Sequence, residues 1–272
     1  MIMIRKSDMA VAAGAFLLLL LAGAVLLTVM HWFGLAVLLA LIAGLTIAVQ
    51  FELYRRTQYL FNKPQQNYRQ VEALFSLFSQ IRPRAPLPPL RHFAISPDFA
   101  NLLISLVREI RPRAIVELGS GTSTILNAYL LEAQGEGRVY ALDHEEQYLR
   151  ETGDQIKKHG LSAWVDLRHA PLQPLTLDNR NWQWYDRKAF ENLPPIDLLI
   201  VDGPPHTLQS LSRYPALPVL LDKLSPTGVV LLDDAARPDE TETVRRWLVA
   251  HPEFVCSKID NEKGAVILRR KQ

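Results

Sequence analysis

From Met9 to Val49 hydrophobic residues follow one another with no charged residue between them. Beyond Leu53 the pattern becomes periodic. Val71, Leu74, Phe75 and Phe78 recur at helical spacing, which predicts an amphipathic helix. Arg82-Pro-Arg-Ala-Pro-Leu-Pro-Pro-Leu90 then brings four prolines together. They exclude helix interior and central strand and predict an extended, semi-rigid linker. After Ser96 short apolar runs alternate with helical periods. The runs Ala114–Leu118, Arg138–Leu142, Val165–His169, Ile196–Val201 and Val229–Leu232 read as buried strands. Ser96–Ile110, Thr122–Glu132, Glu145–His159, Pro215–Lys223 and Pro238–Ala250 read as helices. Phe254–Ile259 and Ala265–Leu268 form a closing strand pair, joined by Asp260-Asn-Glu-Lys-Gly264.

This alternation predicts an α/β fold, a mostly parallel Rossmann-like sheet with helices on both faces. Three parts follow: residues 1–52, residues 53–95 as amphipathic connector and Pro-rich linker, and the α/β domain from 96 to 272. The charge-free run is too long for one membrane span of about 20 residues. His31-Trp-Phe-Gly34 divides it, which predicts a hairpin of two transmembrane helices; a single long tilted span is the alternative. Arg5 and Lys6 before the run and Arg55, Arg56 and Lys63 after it place both ends in the cytoplasm. The predicted location is the cytoplasmic (inner) membrane, multi-pass. The connector helix rests on the membrane surface or packs on the domain; the pattern leaves both open.

Composition narrows the picture a little. The chain has 272 residues and a formal net charge of +2, so no nucleic-acid partner is expected. One cysteine, Cys256, rules out an intrachain disulfide.

The candidate chemistry gathers where strands end: Glu117, Asp143, Asp202, Asp233 and Asp234. In open α/β sheets ligands bind outside the carboxyl ends of the strands. "VELGSGTST" (Val116–Thr124) joins the first strand to a helix, and Gly119 and Gly121 let a ligand approach the backbone. Asp143, at the end of the next strand, suits ribose hydroxyls or caps the following helix. Dinucleotide sites use a third glycine, where this chain has Thr124. Glu117 would repel a pyrophosphate and suits a ligand carrying a cationic amine.

Glu117-Leu-Gly-Ser-Gly-Thr122 resembles the first motif of class I S-adenosylmethionine-dependent methyltransferases. "VYALDHE" carries Asp143 at their ribose-binding position. "IDLLIVDGPP" (Ile196–Pro205) and "GVVLLDDAARP" (Gly228–Pro238) resemble their fourth and fifth motifs. The resemblance runs from about Ser96 to the C-terminus and is closest to the bacterial macrocin and catechol-type O-methyltransferases. It implies seven strands with the last antiparallel, and S-adenosylmethionine as cofactor. It places Glu117, Gly119, Ser120, Gly121, Thr122, Asp143, His144 and Asp202 around that cofactor, with Ala170 and His169 near the adenine.

In those relatives acids of the fourth and fifth motifs hold a divalent metal. Asp202, Asp233 and Asp234 match them, so the resemblance implies a Mg²⁺ site. Asp202 as an amine contact and Asp234 as a helix cap are the metal-free alternatives. Where many relatives read Asp-Gly-Asp-His, this chain reads Asp202-Gly-Pro-Pro-His206. His206 becomes the candidate base beside Asp202. Trp182, Trp184 and Tyr185 form either a lid over the acceptor or a packing cluster, and Arg213 and Tyr214 are candidate acceptor contacts. The expected acceptor is a small molecule or a lipid- or glycan-linked hydroxyl. The rival readings are a nicotinamide-dependent or other nucleotide-binding enzyme on the same fold, and a non-catalytic membrane-anchored binding module.

Overall fold

The computed structural model describes residues 6–271. The chain divides into two compact units, Met1–Gln65 and Gln66–Gln272. Arg5, one of the basic residues flanking the apolar run, lies outside the described residues.

Helix α1 (Lys6–Gln80) starts in the first unit. Among the described residues it is the one helix long and apolar enough to cross a membrane. In the first unit its described large apolar side chains are exposed, Leu19, Trp32, Phe33 and Leu45 among them. The helix continues through His31–Gly34, where the sequence predicts a turn. No proline stands there, and one interior glycine costs a helix only ~1 kcal/mol relative to alanine.

In the second unit the end of α1 packs on the domain. Ala73, Leu77 and Ile81 are buried, and Leu77 and Ile81 share a core cluster with Phe99 and Leu103 of α2 (Pro97–Ile110). Asn101 donates from Nδ2 to the Ala73 carbonyl at 2.9 Å, and Gln70 from Nε2 to Asp98 Oδ2 at 2.8 Å. Of the apolar face read from the periodicity, Leu74 leans on the core, and Val71, Phe75 and Phe78 are exposed. The Pro-rich stretch is also no free spacer. The Arg84 amide donates to the Tyr129 hydroxyl at 2.7 Å, its Nε donates to the His159 carbonyl at 2.7 Å, and Leu87 and Leu90 lean on the core. Residues 82–95 form a strap bound to the domain.

The main sheet has seven strands, β1 (Ala114–Leu118), β2 (Arg138–Asp143), β3 (Val165–His169), β6 (Ile196–Val201), β7 (Leu224–Leu232), β8 (Phe254–Ile259) and β9 (Ala265–Arg270), in the order β3-β2-β1-β6-β7-β9-β8. The first five are parallel, and β9 runs antiparallel to β7 and to β8. Successive residues point to opposite faces. Ile115, Val139, Leu198 and Leu231 therefore pack with α2 and α3 (Thr122–Gln134). Val116, Leu142, Leu199 and Val230 join Trp247 of α6 (Pro238–Ala250) on the other face. Helix α4 (Glu146–Lys158) closes the β2–β3 connection, and α5 (Ala216–Leu220) is shorter than the sequence predicts, its last turn being 3₁₀.

A two-stranded hairpin, β4 (Leu172–Leu177) and β5 (Arg180–Tyr185), stands apart from this sheet. Its turn, Asp178-Asn179, holds both residues at positive φ (52° and 57°), as two-residue hairpin loops require. Trp184 stacks on Phe190 at 5.4 Å and Trp182 on Tyr214 at 5.3 Å, and both tryptophans are buried. Trp182 and Trp184 thus pack into the core, while Tyr185, beside them, also lines the cleft.

Candidate active site

The carboxyl ends of β1, β2, β6 and β7 open into a cleft of about 550 Å³. Its floor is the loop after β1. Gly119 has φ +102°, a conformation L side chains avoid, and its N–H donates to the Leu142 carbonyl at 2.8 Å. The Ser120 amide and hydroxyl donate to Asp143 Oδ2 at 3.0 and 2.8 Å, and the Glu145 amide donates to Oδ1 at 3.1 Å. Asp143 therefore shapes the glycine loop and the entry to α4 together. Burial pushes this carboxyl up, but hydrogen bonds from His144, Glu145 and Ser120 outweigh it and hold the group below the usual range. It stays ionised on the cleft wall.

Thr124, standing where a dinucleotide site has its third glycine, is a pin. Its hydroxyl donates to Glu117 Oε2 at 2.8 Å, and its oxygen accepts the Gly121 amide at 3.1 Å. Glu117 is fully buried behind the loop and does not line the cleft. The side chain expected as an amine contact is thus tied to Thr124 through Oε2, and its Oε1 has no hydrogen-bond partner. Burial pushes its carboxyl up to about 8, against hydrogen bonds from Ser123 and Thr124. Its unfolded value is 4.5, so between these pH values the folded chain holds one more proton and stability falls as pH rises. Glu117→Gln should flatten that fall. Its advantage over the parent in thermal melts should grow from pH 4.5 to pH 8, by on the order of several kcal/mol. A difference that stays constant over that range would show Glu117 to be ionised in the fold.

Opposite the loop stand Asp202, Asp233 and Asp234. They offer carboxylate oxygens within 4.8 Å of one another. Arg213 reaches into them. Its Nη2 donates to Asp202 Oδ1 at 3.0 Å and to Asp234 Oδ2 at 2.8 Å, and its Nη1 donates to the Asp233 carbonyl at 2.9 Å. Arg213 is buried and engaged in these bonds, and it also lines the cleft, where the sequence suggests an acceptor contact. Burial raises Asp202 and Asp233, Arg213 offsetting the rise at Asp202. Both Asp233 carboxylate oxygens lack a hydrogen-bond partner, and the residue is not on the cleft wall.

The structure thus brings Gly119, Ser120, Gly121, Thr122, Asp143, His144, Tyr185, Asp202, His206, Arg213 and Asp234 to one cleft. It does not bring Ala170, Asp233 or Tyr214. Ala170 is fully buried in the core beneath. Tyr214 stacks on Trp182 and donates its hydroxyl to Asp178 Oδ2 at 2.6 Å. His169 faces the His144 carbonyl and also lies off the cleft. Tyr185 is buried with an unpartnered hydroxyl.

One wall was invisible to motif reading: Pro88, Pro89 and His92–Ile95 of the strap, with Tyr148 and Lys263. Arg91 and His92 both have positive φ (77° and 58°), and Phe93 beyond them is fully exposed. The β8–β9 turn holds this bend. Lys263 Nζ donates to the His92 and Ala94 carbonyls at 2.9 Å each, and Arg91 pairs with Glu262. The signal was the turn sequence Glu262-Lys-Gly264, whose charges had no assigned partner in the linear reading.

Residues 116–235 match a family described as a methyltransferase domain. No curated protein matches the chain in sequence. Solved structures that share the fold include the following three. A putative O-methyltransferase from Klebsiella pneumoniae is 19% identical, covering 77% of this chain and 97% of its own, at a TM-score of 0.53. A SAH-bound methyltransferase from Podospora anserina is 17% identical over 75% of this chain and 88% of its own, also at 0.53. An O-methyltransferase from Bacillus cereus in complex with SAH is 21% identical over 74% and 90%, at 0.51.

Proposed function

We propose that this chain, which carries a methyltransferase domain, anchors that domain to a membrane and methylates a hydroxyl of a small or lipid-linked acceptor with S-adenosylmethionine as donor. The carrying observation is the glycine loop clasped by an ionised Asp143 at the ends of β1 and β2. Loop amides and a carboxylate on one wall suit an adenosine with two ribose hydroxyls. A nicotinamide dinucleotide would need its pyrophosphate against the start of α3, where Thr124 stands in place of the third glycine.

S-Adenosylmethionine supplies a methyl group on a sulfonium, already a good leaving group. The chain's own residues have to orient the acceptor and take its proton. Among the acid–base residues that line the cleft, Asp202 and His206 are the candidates for that proton. Burial lifts Asp202 toward neutral pH, where a carboxylate is a useful base. Phe93 and Tyr148 rim the opening with exposed aromatic surface, which favours an acceptor with an apolar portion.

The anchor reading rests on the charge-free run. About 40 residues of helix extend ~60 Å, twice a ~30 Å hydrocarbon core. A bilayer therefore favours folding the run back at His31–Gly34, which keeps both termini in the cytoplasm with the soluble pool of donor. Calorimetry on the full chain in detergent should show S-adenosylhomocysteine binding and no NAD binding. The reverse pattern would remove the methyl-transfer reading, and a C-terminal reporter active only outside the cytoplasm would remove the hairpin.

A further inference from the structure

The divalent ion implied by the acid triad does not fit the residues around it. Nη2 of Arg213 lies 3.0 Å from Asp202 Oδ1 and 2.8 Å from Asp234 Oδ2, bridging the oxygens an ion would take. A second guanidinium, Arg237, lies 2.8 Å from Asp234 Oδ2, and Lys263 lies 4.0 Å from Asp234 Oδ1. Glu240 completes the group at 3.7 Å from Arg213 Nε. Four acids thus face three bases, and one formal negative charge remains. A dication would turn the cluster net positive and would share its ligands with a buried guanidinium a few ångströms away. Mg²⁺ also demands near-octahedral oxygen ligation with waters retained. The third acid, Asp233, is fully buried and off the cleft wall.

We infer that Arg213 takes the place of the metal ion: its guanidinium ties Asp202 to Asp234 at the floor of the cleft, and the chain binds no divalent cation there. Methyl transfer in this site is then metal-independent, with Asp202 positioned by Arg213 in place of an ion. The absence of an ion stands on the geometry alone; only the metal independence of the reaction rests on the function proposed above.

The test is a titration of the full chain in detergent with Mn²⁺, free ion being read by electron paramagnetic resonance, with and without S-adenosylhomocysteine. Mn²⁺ is expected to remain free into the millimolar range. Stoichiometric binding that disappears in Asp202→Asn or Asp234→Asn overturns the inference. Binding that survives both substitutions together lies elsewhere and supports it. Arg213→Met uncovers the acids and should bind Mn²⁺ at least tenfold more tightly than the parent; a folded variant that does not would also overturn the exchange of roles. If that variant fails to fold, the parent titration decides by itself. A separate calorimetric failure to bind S-adenosylhomocysteine would sink the proposed function and leave the metal result standing.

Discussion

Asp143→Ala should bind S-adenosylhomocysteine at least ~100-fold more weakly than the parent. The carboxylate accepts the Ser120 amide and hydroxyl and the Glu145 amide in the folded chain. Hydrogen bonds to a charged group contribute ~1.5–3 kcal/mol each, and ~1.4 kcal/mol is a factor of ten in affinity. Losing the ribose partner and the clasp on the glycine loop together therefore exceeds two powers of ten. Asp143→Asn separates the two roles. Its amide oxygen still accepts from Ser120, so it should recover part of the binding. Calorimetry on the three proteins checks this. Equal affinity in the parent and Asp143→Ala would mean that the ligand sits away from β2.

Gly264→Ala should cost about 2–4 kcal/mol of stability. Gly264 has φ +74°, and a Cβ there would lie 2.6 Å from the Ala236 nitrogen. The conformation alone costs an L residue about 1–2 kcal/mol, and overpacking against backbone adds about 1–3. For a domain of this size that lowers Tm by roughly 5–15 °C. Gly135→Ala is the control. It has a similar φ of +84° with open space around the added carbon, so it should show the conformational cost only. Two variants melting at the same temperature would discount the contact with Ala236. Because Lys263 and Glu262 hold the strap from the same turn, Gly264→Ala should also weaken S-adenosylhomocysteine binding, which Gly135→Ala should not.

The parallel strands were legible because strands buried on both faces read as unbroken apolar runs, and Asp143, Asp202 and Asp233 each follow one directly. The loop residues Gly119–Thr122 came with them, since local backbone chemistry is written in adjacent residues. Long-range pairings were not legible. Arg213 is separated from Asp234 by the whole of α5 and β7, and nothing in the residues near it announces a buried guanidinium. The buried bond from Thr124 to Glu117, seven residues apart, was likewise not legible. The β4–β5 hairpin was hidden because it is flanked by polar residues and contains Pro174, which an isolated edge strand tolerates. The connector's packing face was left open by the sequence. Its apolar residues lie on two stripes, and the stripe with the smaller side chain, through Ala73 and Leu77, is the one that packs.

The separate hairpin also bears on how such a site diversifies. Its strands pair only with each other, so lengthening or exchanging residues 172–185 disturbs no register in the seven-stranded sheet. Tyr185 at its end nonetheless reaches the cleft beside Gly203, where an added Cβ would meet the tyrosine hydroxyl at 2.2 Å. The glycine-loop half of the cleft is written into strands that cannot shift independently. The half facing Tyr185 rests on a hairpin whose Trp182, Trp184 and Tyr185 are buried in the core on one face of the sheet. Selection, or a designer varying the hairpin's tip while keeping those three side chains, has a handle on cleft shape that leaves the strand pairing unaltered.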